Sequence, residues 1–227
     1  MKKILLIGAS SGIGAAIAEQ LQQAGHEVLA ISRSNPNQLP NHFTADVLDE
    51  STLPEIDGPI DGLVYCPGSI NLRPVKALKI GDFQQDLELN FFGLVRCVKK
   101  YLPNLLLGNQ AAVVLFSTVA VQTGMPFHTS VAAAKGAVEG YGRSLAAELA
   151  PKVRVNIIAP SLTNTPLAAR LLDGESKQQA AMDRHPMKQV GQAEDIAALA
   201  CWLLSEQAKF VTGQVMGIDG GISALKV

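Results

Sequence analysis

The stretch that decides the fold is Lys3-Ile4-Leu5-Leu6-Ile7-Gly8-Ala9-Ser10-Ser11-Gly12-Ile13-Gly14, followed by Ala15-Ala16-Ile17-Ala18-Glu19-Gln20-Leu21. The apolar run reads as a strand, the glycines as a tight turn, and the remainder as an amphipathic helix. Glycines at 8, 12 and 14 permit a sharp turn, bring backbone N–H groups close to a pyrophosphate, and let helix pack tightly on strand. Strand, turn and helix in this order are the context that a dinucleotide-binding turn requires, and Gly8, Ser10, Ser11, Gly12, Ile13 and Gly14 are assigned to it. Met1-Lys2-Lys3 and the apolar residues behind them imitate a secretory leader, but the run stops at Gly8 and reads as a first strand.

The same alternation continues outward. Strands are expected over Lys3–Ile7, Glu27–Ser32, His42–Ala45, Gly62–Cys66, Ala111–Ser117, Val153–Ile158 and Gln214–Ile218, several of them continuous Val/Ile/Leu runs suited to burial on both faces. Helices are expected over Ile13–Ala24, Phe83–Leu105, Ala132–Ala150 and Glu194–Leu204, with weaker helical signals at Asp49–Leu53 and Pro166–Arg184. The fold class is therefore α/β: one Rossmann-like, doubly wound domain over residues 1–227, with a seven-stranded parallel sheet flanked by helices.

Composition narrows the function classes. Of 227 residues, 48% are hydrophobic and 17% charged, which suits a folded core. The 19 Lys and Arg against 20 Asp and Glu create no basic field for nucleic acid or an anionic membrane. Asp195–Leu204 has about half of the roughly 20 apolar residues a membrane span needs. Cys66, Cys97 and Cys201 form no C-x-x-C pair, and His26, His42, His128 and His185 lack metal-ligand spacing. The expectation is a soluble, cytoplasmic protein with a small-molecule substrate and neither nucleic acid, membrane, disulfide nor metal.

With these motifs in order, the chain resembles the short-chain dehydrogenase/reductase family, whose fingerprint is Gly-x-x-x-Gly-x-Gly. The resemblance runs through Asp46-Val47, Cys66-Pro67-Gly68, Asn90, Lys135, Pro160-Ser161-Leu162-Thr163, Thr212-Gly213-Gln214 and Asp219-Gly220-Gly221. It implies that Asp46 accepts a hydrogen bond from the adenine amino group, that Asn90 loosens its helix and holds a water of a proton relay, and that Leu162 and Thr163 meet the cofactor's carboxamide and phosphates. Gly93 is read as structural. The helices Phe83–Leu105 and Ala132–Ala150 resemble the family's dimerisation pair, and Ala132, Ala133, Ala134, Gly136 and Ala137 offer a small-residue surface; a homodimer or homotetramer is expected.

Cofactor choice is set after the second strand, at Ile31-Ser32-Arg33-Ser34. An acidic residue there would hydrogen-bond the ribose of NAD, whereas Arg33 offers a charge-assisted contact to the 2′-phosphate of NADP, with the two serines as further donors. NADP(H) is favoured, with NAD the lesser option.

The active site departs from the family's Tyr-x-x-x-Lys. Ser130-Val131-Ala132-Ala133-Ala134-Lys135 keeps the Lys but carries Val131 in the Tyr position, and the hydroxyl 13 positions earlier is Thr118. Lys135, Thr118 and Asn90 survive; the proton donor does not. Tyr141 lies about 280° around the helix from Val131 and points away. His128 and Ser130 are nearer candidates, and His128 precedes Lys135 by seven residues, an interval resembling that of the enoyl-thioester reductase branch. Two readings follow: an NADP(H)-dependent reductase of a carbonyl or enoyl compound with a non-standard active site, or a non-catalytic NADP(H)-binding protein acting as sensor or scaffold.

Overall fold

The computed structural model describes residues 1–226. Its main-sheet strands are β1 (Lys3–Ile7), β2 (Glu27–Ser32), β3 (His42–Thr44), β4 (Gly62–Tyr65), β5 (Ala111–Phe116), β6 (Val153–Pro160) and, last in the chain, β9 (Val215–Ile218). They pair in parallel in the order β3-β2-β1-β4-β5-β6-β9. The winding direction reverses between β1 and β4, and the crevice outside the carboxyl ends of strands at such a switch point is where α/β sheets bind ligands.

The continuous apolar strands are explained by cover on both faces. On one face Ile4, Leu6 and Val64 pack against α1 (Gly12–Gln23) and α7 (Ala193–Leu204) through Ile17, Leu21, Ile196 and Leu203. On the other, Leu5, Ile7 and Leu63 meet α3 (Gly93–Leu107) and α5 (Thr129–Leu149) through Leu94, Val98, Tyr101 and Val138. Adjacent residues of β1 thus belong to different cores, as a two-residue period demands.

The expected helices differ from the observed ones where polar residues intervene. The stretch expected as one helix from Phe83 to Leu105 is α2 (Ile80–Leu87), a π turn (Glu88–Phe92) and α3. Gly93 N–H reaches back five residues to the Glu88 carbonyl, which widens the helix around Asn90. The Asp49–Leu53 signal is a 3₁₀ turn, Glu50–Thr52, capped by Asp49. The Pro166–Arg184 signal divides into a 3₁₀ turn, Pro166–Leu171, and α6 (Glu175–Arg184), broken at Gly174, whose φ of +90° suits glycine. The short α4 (Ala120–Thr123) and the parallel pair β7 (Thr163–Asn164) and β8 (Gly191–Gln192) are additions without a periodic signal; the pair anchors the loop after β6. Among the described residues no helix is long and apolar enough to cross a membrane.

Candidate active site

Two adjoining cavities open at the carboxyl ends of the central strands and share Ile13, Cys66, Gly68, Thr165 and Leu167 in their walls. The first is a groove over the glycine turn. Gly8 and Gly12 hold φ of +88° and +54°, and a Cβ on Gly14 would lie 2.1 Å from the Gly8 carbonyl oxygen, so the turn tolerates only glycine there. Ser10, Ser11, Gly12, Ile13 and Gly14 line the groove at the start of α1, whose first turn has no acidic residue and whose Ser11 side chain caps nothing. That leaves a helix N-terminus suited to phosphate.

Asp46 and Val47 line the far end of the groove. Asp46 Oδ1 accepts the Leu48 N–H at 3.0 Å, an Asx turn that occupies one carboxylate oxygen and leaves the other for an adenine amino group. Arg33 is exposed at the same end. The expected help from both serines is reduced: buried Ser32 donates to the Ser34 carbonyl at 2.8 Å and lies 2.8 Å from His42 Nε2, so its hydroxyl is already committed.

The second cavity is mainly apolar, lined by Ile70, Leu72, Met125, Leu167, Leu171 and Ile222, with Thr118, His128, Val131, Lys135, Pro160, Leu162 and Thr163 on its walls. α5 carries Val131 and Lys135 one turn apart on one face. Lys135 is buried, and burial holds its ammonium down at about 8 from an ordinary 10.5, against the raising influence of Cys66 and Asp86. Asn90 is fully buried in the π turn; its Oδ1 and Lys135 Nζ lie 3.2 and 3.4 Å from the same point, a Cβ built on Gly68. Lys135 and Asn90 thus flank Gly68, where groove and cavity meet.

A sequence profile described as enoyl-(acyl carrier protein) reductase matches residues 8–223. The chain is a short-chain dehydrogenase/reductase. It is 30% identical to a 3-oxoacyl-[acyl-carrier-protein] reductase of Thermotoga maritima, an alignment covering 97% of both chains. Its fold superposes on ligand-free aldohexose dehydrogenase of Thermoplasma acidophilum with TM-score 0.91 at 26% identity, covering 99% of this chain and 95% of that one. ElxO with NADP bound matches at TM-score 0.90 and 28% identity, covering 99% of this chain and 100% of that one.

This short-chain dehydrogenase/reductase has no phenol at its centre. Val131, which the family motif sets in the Tyr position, lines the cavity, and all three tyrosines are engaged elsewhere. Tyr65 donates to the Leu89 carbonyl at 2.7 Å, Tyr101 to the Pro54 carbonyl at 3.0 Å, and Tyr141 packs edge-on against Phe91 with burial pushing its hydroxyl up to about 12. Thr118 and Ser117 both line the cavity, but the Ser117 hydroxyl donates to buried Glu139 at 2.7 Å, whereas the Thr118 hydroxyl accepts the Ala120 N–H at 3.3 Å and, among the described residues, keeps its own hydrogen free. His128 caps α5; its Nδ1 sits 2.7 Å from the Pro126 carbonyl and so carries the proton of the neutral ring, leaving Nε2 for another partner. Ser130, considered a donor from sequence, is buried and donates to Asp86, away from the cavity. Ala134 is likewise core rather than surface.

Sequence reading assigned no role to Ser69, Asp86, Ser161 or His185. Asp86 stands four residues before Asn90, a spacing that places both on one helix face and could have singled it out. Buried His185 accepts the Ser161 hydroxyl at Nε2, 2.9 Å away, with Nδ1 2.7 Å from the Ala181 carbonyl; a pairing across 24 residues leaves no local signal.

Proposed function

We propose that this protein is an NADP(H)-dependent reductase of an apolar carbonyl or enoyl compound. The observation that carries the reading is the meeting of Lys135 and Asn90 at Gly68, where a glycine-turn groove joins an apolar cavity that Thr118 also lines. The groove fits a dinucleotide: the glycine turn leaves the start of α1 open to phosphate, Arg33 suits a 2′-phosphate, and Asp46 suits an adenine amine. When bound, the nicotinamide supplies the hydride.

The chain's own residues then do four things. Cys66 and Gly68 hold the loop that separates the two cavities. Pro160, Leu162 and Thr163 form the wall opposite, fixed by the Thr163 hydroxyl on the Ser161 carbonyl at 3.0 Å and by the β7–β8 pair. Lys135 stabilises an oxyanion through its charge, and Thr118 offers a hydroxyl to the same oxygen. The proton comes from water or, when the ring is doubly protonated, from His128 Nε2, since Val131 has none to give. An enoyl substrate suits this centre because an enolate oxygen needs charge stabilisation more than a phenol. The relative named for a 3-oxoacyl-[acyl-carrier-protein] substrate supports an acyl-like compound.

Val131 favours one rival, a protein that binds NADP(H) as sensor or scaffold without turnover. Nicotinamide absorbance, followed while aldehydes, ketones and enoyl thioesters are offered with NADPH, separates the two. The reductase consumes NADPH with at least one class; binding of NADPH with every class at background establishes the rival.

We further propose a homodimer or homotetramer in the cytoplasm. Half-exposed Ala132, Gly136 and Ala137, exposed Ala133, and the exposed Phe92, Leu106 and Leu107 supply a close-approach surface, and three free thiols suit a reducing compartment. Light scattering at micromolar concentration should give two or four times the monomer mass; a monomer refutes it.

A further inference from the structure

A buried polar cluster lies where α2, the loop after β4 and the start of α5 meet, and the proposed chemistry does not use it. At its centre is Asp86, 2% exposed. Oδ1 takes the Ser69 hydroxyl at 2.6 Å and Oδ2 takes that of Ser130. The direction of both bonds is fixed by their surroundings. Ser69 Oγ already accepts Asn90 Nδ2 at 2.8 Å, so its own hydrogen goes to Asp86. Among the described residues, the one other hydrogen-bond neighbour of Ser130 Oγ is the Asp82 carbonyl at 3.4 Å, which is itself an acceptor. With both oxygens accepting, Asp86 is bonded as a carboxylate.

Asn90 ties this anion to the catalytic centre. Its Nδ2 also donates to the Asp86 carbonyl at 2.8 Å, and its Oδ1 accepts the Ser69 N–H at 3.4 Å and flanks Gly68 opposite Lys135 Nζ. A buried anion is costly without a cation nearby, and a buried ammonium is costly without an anion. Cys66, from the loop after β4, and Asp86, from α2, both favour the charged Lys135 ammonium against its burial. Burial pushes the Cys66 thiol up to about 12, so it is neutral near pH 7 and Asp86 supplies the negative charge.

We propose that Asp86 is the positioning residue of the site: held by Ser69, Ser130 and Asn90, it keeps Lys135 charged where Val131 offers no ionisable partner. This rests on Lys135 being the charged group of the proposed reductase, yet it concerns the protein alone and is tested without turnover.

The test is an NMR titration of the Lys135 side chain through its ¹³Cε shift, assigned by its loss in Lys135→Arg. The parent should titrate near pH 8. Asp86→Asn removes the charge and keeps the size, and should lower the midpoint by about one pH unit, a tenfold larger neutral fraction. Asp86→Glu should restore it. Ser130→Ala deletes one hydrogen bond but leaves the carboxylate, and should move the midpoint by less than about a third of a unit. Should Asp86→Asn not fold, the smaller Asp86→Ser takes its place with the same expectation. An unmoved midpoint in the folded neutral variant overturns the proposal, as does a Ser130→Ala shift of equal size, which would assign the effect to packing. If no substrate turns over while the midpoint moves as expected, the reductase reading fails and this one stands.

Discussion

The two cavities carry their specificity differently. In the groove, function resides in backbone: three glycines at fixed spacing, a helix N-terminus, and a few side chains at the rim. In the apolar cavity, the proposed function rests on side chains arriving from separate elements, and the proposed difference, Val131 for Tyr, would change what the site can do. A backbone site is kept or lost as a unit. A side-chain site can lose its acid and keep its oxyanion support.

The largest effect expected is at that difference. Val131→Tyr places a phenol one turn before Lys135, on the face lining the cavity, and should raise carbonyl reduction by a measurable part of the roughly 100- to 10,000-fold contribution of a general acid. Initial rates with NADPH check it. A variant that binds NADPH and stays at background for every carbonyl breaks the contrast, because the centre would then lack more than its acid.

Gly14→Ala probes the other cavity. Its Cβ would sit 2.1 Å from a backbone oxygen that no side-chain motion relieves, so a loss of about 3 kcal/mol in stability and of NADPH binding is expected. Denaturant unfolding with calorimetric titration reads both; ordinary binding would show that the turn is not the phosphate site.

Arg33→Ala should cut the preference for NADPH over NADH by about tenfold, with NADH affinity unchanged, because only the 2′-phosphate loses a partner. Equal losses for the two nucleotides would assign Arg33 a general electrostatic role instead.

A further effect concerns stability. Lys135 titrates lower folded, about 8, than unfolded, 10.5, so its burial penalty is full below pH 8 and is relieved as pH rises from 8 to 10.5. That drop corresponds to about 3 kcal/mol. Relative to Lys135→Met, the parent should therefore gain several degrees in Tm between pH 7 and pH 10.5. A constant gap across this range would mean that the ammonium carries no burial penalty.

What was legible in the sequence follows the same division. The sheet and the groove could be read because glycine spacing and continuous apolar strands are local patterns; Lys3–Ile7 and Glu27–Ser32 hold to the residue. Lys135, Asn90 and Thr118 could be placed because the family motif fixes their intervals. The break in the helix expected from Phe83 was not legible, since a π turn adds one residue without altering the apolar pattern enough to show. Nor were the roles of Ser130 and Ser32, because a hydroxyl's partner depends on packing: Asp86 is 44 residues from Ser130.

Gly93 has a mechanical consequence. A Cβ there would lie 2.5 Å from the Tyr65 hydroxyl, so its bare backbone is what lets that hydroxyl reach the Leu89 carbonyl inside the π turn. The end of β4 and the Asn90 helix are thereby riveted together, and the Cys66–Gly68 loop cannot slide without dragging Asn90 and the Asp86 cluster along. A cofactor pressing on that loop would be felt on the far side of α2, as slowed amide exchange around Asp86, before any substrate arrives.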